Sequence, residues 1–82
     1  MILEPTEISS VITRLKRANG HLASVIRMLE EGSDCEAALT QLAAVNKAIG
    51  RGGFALVATG LQSCLAEGGD PAKLEKLFLS LA

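Results

Sequence analysis

Apolar residues in the first part of the chain recur at spacings of three and four. Ile8, Val11, Ile12, Leu15, Leu22, Val25, Ile26 and Leu29 share one face, and Ala18 or Asn19 bridges the step from Leu15 to Leu22. That period predicts an amphipathic helix over about residues 6–31. Pro5-Thr6-Glu7 has the form of a helix start with an acid in the first turn, and Gly32 that of a C-terminal stop. Gly20 weakens the interior by about 1 kcal/mol relative to Ala.

The same period returns between Ser33 and Ala66, through Leu39, Leu42, Val45, Ile49, Leu56 and Leu61. It predicts a second helix over about residues 34–66, with Ser33-Asp34-Cys35-Glu36 as a capping box in which Ser33 is the N-cap. Gly50-Arg51-Gly52-Gly53 disturbs this run, because each glycine inside a helix costs about 1 kcal/mol. Two readings are open here. One is a loop that splits the segment into two helices. The other is a close approach of helix backbones at a symmetry axis. Gly68-Gly69 ends the run, and Asp70-Pro71 opens a short third helix over about residues 71–81, with Leu74, Leu77, Phe78 and Leu81 on one face. The fold expected is all-α, in a single domain spanning residues 1–82.

The length of the second helix has consequences. A straight helix of about 30 residues is roughly 45 Å long and outruns a compact monomer of 82 residues. Its apolar flanks therefore require a second copy. Cys35 and Cys64 stand near its two ends, 29 residues apart, which is roughly 43 Å of helix. A disulfide needs Cα atoms within about 7 Å, so the two thiols of one chain cannot meet along a straight helix. In an antiparallel pair of such helices, with Ile49 and Gly50 on the two-fold axis, Cys35 of one copy lies beside Cys64 of the other. The expected assembly is thus a dimeric four-helix bundle with a two-thiol site between subunits.

Composition narrows the class. Apolar residues make up 49% of the chain and aromatics only 2%, an Ala/Leu-rich mixture that favours helices over strands. No run of 18 apolar residues occurs, so no membrane span is expected, and the N-terminus lacks the pattern of a signal peptide. A cytoplasmic location follows as the expectation. There, two cysteines point to metal binding or redox chemistry before structural disulfides. Cys35 in a first helical turn meets a dipole that favours anions, while Asp34 and Glu36 oppose one.

Net charge is −1, yet the charges are segregated. Arg14, Lys16 and Arg17 cluster, Arg27 follows, and Lys47 and Arg51 lie one turn apart in the second helix. The acids Glu30, Glu31, Asp34 and Glu36 gather elsewhere. A basic cluster is commonly a solvated helix face, but a symmetric oligomer repeats it and turns it into a surface. His21, the sole histidine, reads as packed or exposed rather than as a ligand, and Met28 as packing. No nucleophile–base pair, phosphate loop or carboxylate pair stands out, so nothing supports an enzyme.

The segments Arg14-Leu-Lys-Arg-Ala-Asn-Gly-His-Leu and Cys35-Glu-Ala-Ala-Leu-Thr-Gln-Leu-Ala-Ala-Val-Asn-Lys-Ala resemble the copper-sensitive operon repressor family (CsoR/RcnR/FrmR). The pattern R-x-x-R-x-x-G followed by C-x-x-x-L-x-Q-x-x-A-V carries the resemblance, which extends over nearly the whole chain. It implies an all-helical repressor that binds operator DNA without a helix-turn-helix and forms dimers that pair into disc-shaped homotetramers. It favours one continuous second helix, a DNA face including Arg14 and Arg17, and sensing by Cys35 with positions 60 and 64 of the partner subunit.

The sensing positions depart from the metal-binding pattern. Copper sensors of the family carry histidine and cysteine where this chain has Gly60 and Cys64, and the nickel/cobalt and formaldehyde sensors also use a histidine at the position of Gly60. The N-terminal histidine used for nickel is missing, and Ile2 stands where formaldehyde sensors have proline. The remaining Cys35–Cys64 pair is similar to the persulfide-sensing (CstR-like) branch, whose paired cysteines react with sulfane sulfur and become bridged. The resemblance therefore implies a repressor of transcription responsive to persulfides or polysulfides, with no cofactor and no membrane partner. Its DNA contacts are expected at Arg14, Lys16, Arg17, Lys47 and Arg51. A Cu(I) sensor using Cys35 and Cys64 is the alternative, and a helical interaction module without sensing is a third reading.

Overall fold

A computed structural model describes residues 3–66 and 68–81, and the side chains of residues 61–66 lie outside that description. Three helices follow in order, α1 (Ser9–Glu31), α2 (Cys35–Ala66) and α3 (Pro71–Ser80). No strand occurs among the described residues. The body is elongated, 50 × 25 × 14 Å along its principal axes. Among the described residues, no helix is long and apolar enough to cross a membrane.

The first helix begins at Ser9, three residues later than the sequence pattern predicts. Pro5 to Ile8 form a turn instead, in which the Glu4 carbonyl accepts the amides of Glu7 (3.0 Å) and Ile8 (3.3 Å). Ile8 occupies the N-cap position at φ −112°, ψ 19°, and offers no side-chain acceptor, so nothing anchors an earlier start. Gly32 closes α1 at φ 83°, a left-handed conformation suited to glycine, with its amide on the Leu29 carbonyl.

The chain reverses over three residues into α2. Asp34, not Ser33, caps this helix. Its Oδ2 accepts the Ala37 amide at 3.1 Å, and its carbonyl accepts the Ala38 amide at 3.0 Å. The Ser33 hydroxyl only donates to the Asp34 carbonyl, at 3.3 Å. A carboxylate answers both the free amides and the positive end of the helix dipole, and it outcompetes the neutral hydroxyl.

α2 runs unbroken through Gly50–Gly53, so the loop reading of the glycines is set aside. Within the chain, two of them lie against other segments. A Cβ on Gly52 would fall 2.9 Å from Leu15 Cδ2, and one on Gly53 would fall 3.4 Å from Leu81 Cδ1. Gly52 thus admits Leu15 of α1, and this close packing offsets its helix cost, whereas a Cβ on Gly53 would make ordinary contact with Leu81, the C-cap of α3. Gly50 faces open space, with nothing within 4 Å of the point a Cβ would occupy.

α1 and α2 form an antiparallel hairpin whose seam has a seven-residue period. Val11, Ala18 and Val25 are buried on one side, and Ala38, Val45 and Gly52 on the other. The residues are small, so the two helices lie close along a narrow line. The broad apolar faces of both helices are only partly covered. Leu15, Ile26 and Leu29 of α1 and Leu39, Leu42, Ile49 and Phe54 of α2 remain exposed. Leu22, Leu39, Leu42, Val45 and Ile49 line an apolar groove of about 420 Å³ along the hairpin. The third helix occupies Pro71–Ser80, with Asp70 accepting the Ala72 amide at 3.0 Å. It docks on α2 through an edge-to-face pair, Phe54 and Phe78, with ring centroids 5.1 Å apart.

Candidate functional site

The seam that joins α1 to α2 also sets the position of the basic residues. Arg14, Arg17 and His21 lie at steps of three and four along α1, and Arg51 lies three residues from Ala48 on α2. Once the helices pair, Arg14, Arg17, Ala18, His21, Ala48 and Arg51 line one cleft of about 210 Å³. The two alanines give it a shallow floor, and the polar walls come from both helices. No carboxylate belongs to its described lining. Guanidinium groups remain charged at every relevant pH and present forked donors that match phosphate oxygens. A cleft walled by three of them has the donors that an oxyanion requires.

Of the five basic residues expected to contact DNA, the structure brings three together, Arg14, Arg17 and Arg51. Lys16 and Lys47 are exposed and do not line the cleft. His21 is the member that the sequence pattern alone does not single out. It lies in the cleft with Nε2 2.7 Å from Oε1 of Gln41, a contact that ties α1 to α2. The signal for it is present all the same, because 14, 17 and 21 fall on one helical face.

Cys35 is the first residue of α2 and an exposed free thiol. Asp34 precedes it and Glu36 follows. Cys64 belongs to the last turns of α2, in the stretch whose side chains are outside the described residues. Because α2 is continuous, the two cysteines of one chain are separated by 29 residues of helix, roughly 43 Å. They do not form a site within one chain.

Gly60, one turn before Cys64 in sequence, is buried, and a Cβ there would lie 3.9 Å from a Leu3 methyl. It offers no ligand. Among the described residues, no group of three His, Cys, Asp or Glu side chains could hold a metal ion. The side-chain donors available at the cysteine positions are thus sulfur, a set that fits soft Cu(I) in two-coordinate form and lacks the imidazole favoured by nickel and zinc.

The family model of the metal-sensitive transcriptional repressors matches residues 7–81, which takes in all three helices, the arginine cleft and both cysteines. The chain belongs to this family. Curated members include the copper-sensing transcriptional repressor CsoR of Mycobacterium ulcerans, 32% identical over 73 residues that cover 84% of this chain and 62% of that protein. The CsoR proteins of Mycobacterium bovis and Mycobacterium tuberculosis are 29% identical over 73 residues, covering 84% of this chain and 61% of theirs. The chain therefore spans somewhat under two thirds of the length of these relatives. No solved structure gives a significant match.

Proposed function

We propose that this member of the repressor family binds operator DNA through the Arg14–Arg17–Arg51 cleft and releases it when Cys35 and the Cys64 of a second copy become linked. The observation that carries the proposal is the convergence of three arginines from two helices on a cleft without a described carboxylate. Duplex DNA presents phosphate at short, regular intervals, and contacts to it set affinity and register. Two or more copies of the cleft on a symmetric oligomer grip several phosphates at once, which raises affinity without further contacts within any one cleft.

The oligomer itself follows from the uncovered apolar groove along Leu22, Leu39, Leu42 and Ile49. An antiparallel copy of the hairpin, seated there, completes a four-helix bundle and brings Cys35 towards the partner's Cys64. Pairs of such dimers form the tetramer.

Sulfane sulfur is the inducer that the donor set favours. One thiolate attacks the outer sulfur of a persulfide, RSSH, forming a protein persulfide and expelling RS⁻. The thiolate of the second copy then attacks the protein-bound sulfur and expels HS⁻. The two cysteines are oxidised to a disulfide, and the sulfane sulfur is reduced to hydrosulfide. A second RSSH converts the other thiol to a persulfide as well, and attack of one protein persulfide on the inner sulfur of the other then expels HS⁻ and leaves a three-sulfur bridge. The link constrains both ends of the α2 pair and stabilises a shape unfit for DNA. A hundredfold loss of affinity needs about 2.7 kcal/mol of preference between the two shapes, within what a cross-link supplies.

A second reading is favoured by the copper-sensing relatives. Cu(I) bound by the sulfurs of Cys35 and the partner's Cys64 would act on the same helix ends. One experiment separates the two. Reduced protein is treated with a polysulfide donor, run on a non-reducing gel and mapped by mass spectrometry, beside a Cu(I) titration. The sulfur reading expects a covalent dimer joining Cys35 to Cys64 of another chain, lost in Cys35→Ser and Cys64→Ser. A bridge within one chain, or DNA release by the donor in both serine variants, contradicts it. Tight Cu(I) binding without any bridged product favours copper.

A further inference from the structure

We infer that His21 is a proton-dependent fourth cation of the arginine cleft, so that the grip on phosphate strengthens as pH falls. This rests on the reading that Arg14, Arg17 and Arg51 hold DNA phosphate. His21 lines the same cleft, one turn from Arg17. Its Nε2 donates to the Gln41 Oε1 at 2.7 Å, which assigns the neutral ring a proton on Nε2 and leaves Nδ1 as the nitrogen that takes the second proton. The bond to Gln41 survives that step, because both nitrogens of an imidazolium donate. The ring therefore gains a charge without losing its anchor.

The charged groups facing His21 are Arg14 and Arg17 from α1 and Arg51 from α2, and α3 contributes nothing to the lining. Beside three permanently charged guanidinium groups, the imidazole is the one side chain of the lining that can gain or lose a proton. A phosphate in the cleft and a proton on the ring attract each other, so each strengthens the binding of the other by the same factor. The direction is fixed: affinity is higher where the imidazole is protonated and lower where it is neutral.

The chain makes this unusually easy to test, because His21 is its only histidine. Other groups that titrate nearby are the cysteines and the N-terminal amine, and a His21 variant separates them. The probe is a duplex of about 30 base pairs of arbitrary sequence, since phosphate contacts need no particular one. Binding is read by fluorescence anisotropy at about pH 8 and about pH 5.5, either side of the histidine range, across a salt series with the thiols kept reduced. For the wild type, affinity at the lower pH exceeds that at the higher by about threefold or more, and the salt slope steepens by about 0.9 for each added phosphate contact. His21→Gln, which can still bond to Gln41, binds without dependence on pH over this range. His21→Arg is likewise independent of pH and keeps the steeper slope. A wild type whose affinity and slope do not change with pH overturns the proposal, as does a pH response that persists in His21→Gln. Failure of the arginine reading looks different: Arg14→Ala and Arg51→Ala then bind as the wild type does at both pH values.

Discussion

Single residues carry three distinct jobs on this hairpin. Gly52 is the point where α1 touches α2, with Leu15 filling the space a side chain would need. Gly52→Leu forces both helices apart and should cost about 2 kcal/mol or more of stability, read as a lowered midpoint in urea unfolding at unchanged slope. A fully stable variant would mean that the helices do not approach there. Gly60 belongs to the proposed sensing site, where it offers no ligand. Gly60→His supplies an imidazole one turn from Cys64 and should raise Cu(I) affinity by tenfold or more in a competition titration, about 1.4 kcal/mol. No gain, or a wild type already three-coordinate by X-ray absorption, would move the sensing site elsewhere. The third job, in the proposed function, belongs to Arg14, Arg17 and Arg51, whose side chains line one cleft beside the helical seam.

At the scale of elements, the helices are joined by short, chemically specified caps. Gly32 at φ 83° and the Asp34 carboxylate together make the reversal between α1 and α2. Asp34→Ala should lower stability by about 1 kcal/mol, while Ser33→Ala should change it by only a few tenths, and paired thermal melts compare them. The reverse ranking would restore Ser33 as the cap. Element type and order were legible from the three- and four-residue spacing, as were Gly32, Asp70-Pro71 and the end of α2 near Gly68. The start of α1 was not, because Pro5 to Ile8 satisfy a helix-start pattern and a simple turn equally well. The glycines were not legible either. A helix of good residues with three glycines leaves a loop and a close approach equally open until Leu15 is seen against Gly52. For the site, the arginine pair on α1 was visible on one strip of sequence. Its union with Arg51 and His21 depends on the register of α1 on α2, which helical periodicity alone does not specify.

The whole molecule is a hairpin whose apolar surface exceeds what it can bury. Leu39 is 58% exposed and Ile49 44%, although both lie on the long central helix. Light scattering at micromolar concentration should therefore report a dimer or tetramer, and a monomer would remove the inter-subunit thiol site from the account. The proposed oligomer would repeat the arginine cleft, and this would link the apolar face to the basic one. The most direct test of that link is the salt dependence of DNA binding. A duplex selected by the protein from random sequence is titrated with wild type, Arg14→Ala and Arg51→Ala across a range of salt. Loss of one phosphate contact per cleft should weaken binding and lower the slope of log affinity against log salt by about 0.9 for each engaged cleft. Equal affinities and equal slopes in all three proteins would contradict the assignment of this cleft as the surface that holds DNA.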